Sequence, residues 1–217
     1  MTTATERRTR RIGRWLPILV ASSALVALSV HPAQATVIDD WASVKVPPPP
    51  TVQSVTVDPA TTALLLLDFV KQTCSGPRCI AVVPAVTSML QAARAHHVMV
   101  VYSITLASTL ADIVPPLAPL PGDPSVQGTP DKFLNTDLQQ ILTSHGIRTV
   151  IVAGVAANGA VLYTASHAAQ TGFDVIVPVD AAPAETPYAE QLTAWNLANA
   201  PRISARVKLT TTELIQF

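Results

Sequence analysis

Charge is scarce in this chain of 217 residues: Asp, Glu, Lys and Arg together make up 13%, against 49% hydrophobic residues. With a mean hydropathy of +0.37, it is too apolar to stay disordered and long enough for one good core, so a single domain is expected. Cysteine is scarcer, with only Cys74 and Cys79 in CSGPRC. The histidines that follow the leader, His96, His97, His145 and His167, share no metal-ligand spacing with one another or with the cysteines. No metal and no cofactor is therefore expected. Several motifs are also missing. No Gly-Lys-Ser/Thr follows a glycine-rich loop and no G-x-G-x-x-G opens a helix, which removes the P-loop and the dinucleotide fingerprint. Without G-x-S-x-G there is no serine-hydrolase elbow. Asp68-Phe69-Val70 lacks the second aspartate of a DxD phosphoryl-transfer site.

What is present begins with an uneven charge distribution. Arg7, Arg8, Arg10, Arg11 and Arg14 precede an uncharged run from Trp15 to Val30, which leads to Ala33-Gln34-Ala35. Basic, apolar and small-residue regions in that order read as a secretory signal peptide over 1–35. The competing reading is an uncleaved anchor, although the run is shorter than the roughly 20 residues that span a bilayer. Sec and twin-arginine routes are both left open. Past residue 35 there remain 9 basic and 13 acidic side chains, a net charge of −4. Nucleic acid is not an expected partner, nor is a membrane once the leader is gone; a homo-oligomer is left open. An exported protein, periplasmic or extracellular, favours a local Cys74–Cys79 disulfide.

Residues 36–57 contain Pro47 to Pro50 and no helical period, and they predict an extended Pro-rich arm on the surface before a domain over 58–217. In that domain, apolar runs of strand length (62–69, 98–106, 148–154, 174–179 and 205–209) alternate with amphipathic stretches. Val86, Met89, Leu90 and Ala93 fall on one helix face. Thr136-x-x-Gln139 predicts a capping box before Leu138, Ile141 and Leu142, closed by Gly146, with His145 as a helix-end residue. Asn158 is expected to cap the next helix, which ends at Gly172, and Thr186-Pro187 to open the last, which ends at Pro201. The alternation predicts an α/β fold: an open parallel sheet with helices on both faces. Ligands of such sheets sit at the carboxyl ends of the strands. Asp68 and Asp180 stand at strand ends; Asp180 reads as a turn residue, whereas Asp68 is either a turn cap or a site acid. The proline-rich loop 107–132 is a candidate partial lid.

The segments TALLLLDF (62–69), DKFLNTDLQQILTSHGI (131–147) and TVIVAGVAANGAVLYTASHAAQTGFDVIVPVDA (149–181), in this order and at this spacing, resemble the isochorismatase-like hydrolase family, which includes nicotinamidases and other cysteine hydrolases. The resemblance covers about residues 58–213. It implies a Rossmann-like parallel sheet, a catalytic aspartate at Asp68, a catalytic lysine before the Phe-x-x-Thr-x-Leu segment, and a cysteine nucleophile where this chain has Ala160. It also implies a non-proline cis peptide at Val155-Ala156, with the N–H groups of Ala156 and Ala160 forming an oxyanion hole.

Two departures from the family pattern matter. Ala160 cannot act as a nucleophile, and a free Cys74 is disfavoured by its pairing with Cys79. The family lysine position falls on Gln127, while the nearest lysine is Lys132, immediately before Phe133. Lys132 is expected to approach Asp68, with Gln127 and Asn158 as substrate-binding candidates. The resemblance thus implies a hydrolase that acts on a small polar or enol-ether-like metabolite by Asp-assisted chemistry without a cysteine. The alternative is an exported small-molecule-binding pseudoenzyme of the same fold.

Overall fold

The structure, a computed structural model, describes residue 2 and residues 36–217. The signal peptide expected over 1–35 lies outside the described residues. The chain divides into two units at Val46/Pro47.

In the first unit, Val37–Asp40 (α1) continues into a 3-10 turn, Trp41–Ser43. This is a short helix where an extended arm was expected. The reason is local: the Asp39 carboxylate accepts from both the N–H and the hydroxyl of Thr36, each at 2.8 Å, which satisfies donors a helix start leaves free.

The second unit runs β1 (Val55–Thr56), β2 (Thr62–Leu67), α2 (Pro77–Ala95), β3 (Met99–Thr105), β4 (Ser125–Gly128), α3 (Leu138–Ser144), β5 (Thr149–Gly154), α4 (Leu162–Thr171), β6 (Asp174–Pro178), α5 (Pro187–Asn199), β7 (Val207–Thr210) and β8 (Ile215–Gln216). Six strands form one parallel sheet in the order β4-β3-β2-β5-β6-β7. β2 lies near its centre, which explains why all six of its residues are buried. Its residues divide by the strand period: Leu64 and Leu66 join Val86, Met89, Leu90 and Ala93 of α2 on one face. Ala63, Leu65 and Leu67 meet α3, α4 and α5 on the other.

Two elements depart from expectation. β1 pairs with β8 in a separate two-stranded sheet, and Val55 and Val57 are buried, so the last residues of the expected surface arm belong to the core. β4 lies inside the 107–132 segment, where no strand was expected. It is a four-residue edge strand after Pro124, and only Val126 and Gly128 are buried. The sequence therefore carries almost no period-2 signal there.

Helix ends follow local chemistry. Thr186 accepts from Ala189 N–H at 3.3 Å and caps α5 as expected. α3 has no Thr136–Gln139 box. Thr136 instead accepts from Leu138 N–H at 3.2 Å and donates to the Lys132 carbonyl, which ties this helix start to the preceding loop. Asp180 is structural, but not as the local turn residue expected: it accepts from Thr212 N–H and hydroxyl at 2.9 and 2.8 Å, a long-range tie to the turn before β8.

Candidate active site

The sheet order reverses at β2: β3 lies on one side and β5 on the other, so the carboxyl ends of β2 and β5 flank a switch point where α/β ligands bind. The close approach there depends on Gly154. A Cβ at that position would stand 2.4 Å from the Leu67 Cβ and 2.6 Å from its carbonyl oxygen. The next peptide, Val155-Ala156, is cis, and Val155 N–H donates to the Leu67 carbonyl at 3.0 Å. Ala156 N–H donates to no acceptor among the described residues.

The chain then turns through a π-helical turn, Ala157–Val161, into α4. Val161 N–H bonds to Ala156 O at 3.3 Å, the i→i−5 contact that makes the turn wide. This moves the cap from Asn158 to Ala156. Asn158 lies inside the turn with its side chain exposed, which corrects its expected capping role. Ala160 is buried.

Asp68 follows β2 directly, with φ +54° and 4% exposure. Its N–H donates to Ser103 O at 3.1 Å, and its carbonyl accepts from Val70 N–H at 2.7 Å and from the Thr73 hydroxyl. One carboxylate oxygen, Oδ1, accepts from Ser103 Oγ at 2.8 Å. The other, Oδ2, lies 2.6 Å from Lys132 Nζ. Lys132 is wholly buried. Its Nζ also donates to Gly128 O at 3.2 Å, and its backbone N–H to Thr164 Oγ1 at 3.1 Å. Thr164 in turn donates to Pro130 O at 3.2 Å. Ala160 belongs to the wide turn before α4 and packs in the same buried cluster as Phe133, the residue after Lys132.

The structure therefore brings Asp68 and Lys132 together and leaves Gln127 out of that pair. The Gln127 amide nitrogen donates to the carbonyls of Thr105, Leu106 and Ser108 at 3.2, 3.3 and 2.9 Å, fastening β4 to the loop after β3.

Beside the cis turn opens a crevice of about 360 Å³ with mainly apolar walls. It is lined by Thr73 and Gly76–Cys79 on one side, by Val155 and Ala156 at its base, and by Pro183–Glu185 on the other. The 107–132 segment, expected to act as a lid, contributes no lining residue. Cys74 and Cys79 form a disulfide that closes the first wall. Arg78 on that wall binds Glu190 of α5 through two nitrogens, and Glu190 also accepts from Ala184 N–H at 2.9 Å on the opposite wall. Burial pushes the Glu190 carboxyl up, but the hydrogen bonds from Arg78 and Ala184 outweigh it and hold the group below its ordinary range.

Ser103, Thr164, Arg78 and the Pro183–Glu185 segment were not singled out from the sequence. Ser103 offered a signal: it is a polar residue in the otherwise apolar stretch MVVYSI, in a strand buried on both faces.

Residues 62–213 match the isochorismatase domain family. A curated relative, the secreted isochorismatase effector Isc1 of Verticillium dahliae, is 33% identical over 109 residues, 45% of this chain and 57% of that protein, so the match spans a little over half of the relative's length. Among solved structures, an isochorismatase family protein from Burkholderia thailandensis superposes with a TM-score of 0.64 at 22% identity, covering 75% of this chain and 97% of that one. A cysteine hydrolase from Pseudomonas syringae pv. phaseolicola gives 0.65 at 23%, covering 76% and 94%. At these identities the two structures establish the fold.

Proposed function

Because the chain belongs to the isochorismatase domain family, we propose that it is an exported hydrolase that acts on a small enol-ether-like metabolite through Asp68 and Lys132, without a cysteine nucleophile. The observation that carries this reading is the buried 2.6 Å Asp68–Lys132 contact at the carboxyl end of β2. Burying two charges costs several kcal/mol each before their mutual attraction is counted, on the order of magnitude typical for interiors. A pair kept at a strand end without a stability need is a candidate for chemistry.

The pair carries one transferable proton. Asp68 passes it to the terminal vinyl carbon of an enol ether while drawing a proton from Lys132 across the short contact, which leaves an oxocarbenium ion, a neutral lysine and the carboxylate. Water adds to the cation and returns its proton to the pair, and the resulting hemiketal breaks down to a ketone and an alcohol. Ala156 N–H is a free donor for the alcohol oxygen that gains negative charge as the hemiketal breaks down. No covalent intermediate is needed, which suits alanine at position 160. Export is supported by the leader pattern, by the disulfide and by the secreted relative. Two features favour the second reading, a binding protein: both Asp68 oxygens already have partners, and Ala160 supplies no nucleophile.

A panel of vinyl ethers, amides and lactones tests the proposal. The exported protein is expected to hydrolyse vinyl ethers, and Asp68→Asn to lower the rate at least about 10²-fold, the usual contribution of a positioned acid. Wild-type rates in Asp68→Asn would overturn it. Ligand-induced thermal stabilisation without turnover would favour the binding protein.

A further inference from the structure

We infer that Ser103 is a positioning residue, one that clamps Asp68 at two points and confines its proton exchange to the oxygen facing Lys132; this rests on the proton role proposed for Asp68. Ser103 pairs with Leu67 in the sheet, beside the residue that precedes Asp68. Its side chain shares a face with Val101, two positions earlier, and so points into the apolar layer that holds Leu67, Phe133 and Val161. Packing alone would favour an aliphatic side chain there, because a buried hydroxyl without a partner is costly. The hydroxyl has one proton, and it goes to Asp68 Oδ1 at 2.8 Å. The Ser103 carbonyl accepts the Asp68 N–H at 3.1 Å.

These two bonds act on a residue whose backbone needs holding. Asp68 has φ +54°, a region uncommon for side-chain-bearing residues, though aspartate tolerates it better than most. The carbonyl contact fixes the backbone, and the hydroxyl contact fixes the rotation of the carboxylate. With Oδ1 occupied by a donor, the oxygen left for proton exchange is Oδ2, which faces Lys132. Lys132 is the charged group that pairs with Asp68 among the described residues, and the other side chains bonded to this aspartate, Ser103 and Thr73, are uncharged at ordinary pH. Ser103 touches no reacting atom; it acts through Asp68.

The test uses the exported protein with Ser103→Ala, Ser103→Thr and Ser103→Val. Thr and Val have nearly the same shape and differ by the hydroxyl, so they separate hydrogen bonding from packing even if the alanine variant fails to fold. Loss of a donor to the carboxylate favours its protonated form, so the acid limb of the pH–rate profile is expected to move up in Ala and Val. kcat should fall about 10- to 100-fold with KM nearly unchanged, because the carboxylate is misaimed. Thr should restore both. Carbon-13 NMR of the Asp68 carboxyl reads the same shift without turnover. A protein that hydrolyses nothing in the panel therefore removes the proposed function and still leaves the clamp open to measurement. An unmoved carboxyl titration in Val and Ala, or equal behaviour of Thr and Val, would overturn the assignment.

Discussion

Lys132 Nζ lies 2.6 Å from Asp68 Oδ2, and both side chains are almost completely shielded from solvent. Removing one partner of such a pair strands the other charge in the core. Lys132→Met is expected to cost about 3–5 kcal/mol, as measured for buried ion pairs broken on one side. Combining it with Asp68→Asn should return a large part of that loss, since the stranded carboxylate is gone. Urea unfolding of the two single variants and the double variant checks this; strictly additive losses would show that the two side chains do not interact.

Gly154 has the tightest steric demand at the site. A methyl group there meets the Leu67 Cβ at 2.4 Å and the Leu67 carbonyl at 2.6 Å, and backbone cannot step aside as a flexible side chain could. Gly154→Ala should destabilise the fold by about 3 kcal/mol or more, at the upper end of overpacking effects. Thermal unfolding measures it. Gly76→Ala, where the added carbon meets nothing within 4 Å, is the control.

The Arg78–Glu190 contact gives the stability a pH dependence whose sign follows from its direction. Glu190 is held below its ordinary value of 4.5 when the chain is folded, with burial opposing and the Arg78 and Ala184 hydrogen bonds prevailing. Its contribution is therefore present above the unfolded value and is lost as pH falls through the lower folded one. Denaturation midpoints measured from pH 6 down to pH 3 should drop less steeply for Glu190→Gln than for wild type. Equal slopes would show that the contact is already broken in solution.

The central strands were legible because β2, β3, β5 and β6 are buried on both faces and read as continuous apolar runs. β4 was hidden for the opposite reason: it is an edge strand with two buried residues, set among prolines that mimic a loop. The two-residue strands at Val55 and Ile215 are too short for any period to show. At the site, Asp68 was legible from its place at the end of a strand. The partnership of Lys132 with it was an expectation at odds with the family spacing. That spacing counts residues along the chain, whereas the lysine is placed by three contacts that fold the 128–136 segment back on α4: Gly128 O with Nζ, Thr164 with its N–H, and Thr136 with its carbonyl. Ser103 escaped notice because one serine in an apolar run reads as part of a strand until its neighbour across the sheet is known. The crevice walls escaped because Arg78 and Ala184 meet only through Glu190.

Ala160→Cys asks whether the position before the Thr164 turn is open to chemistry. Both native cysteines are held in the Cys74–Cys79 disulfide, so the wild-type protein offers no thiol and the background for alkylation is nil. A sulfur at 160 would enter a buried spot, where apolar burial opposes the reactive thiolate and a cation within reach, such as the Lys132 ammonium, would favour it. If this face opens to the substrate, a small alkylating agent should modify one thiol per native chain within minutes, and Lys132→Met in the same background should slow the reaction by removing the cation. Slow hydrolysis of simple amides is the expected gain, because a thiolate supplies the nucleophile that a covalent route requires. A thiol that reacts only after denaturation would show that Ala160 faces closed packing, and the proposed site would then have to lie on the crevice side of the Val155-Ala156 turn alone.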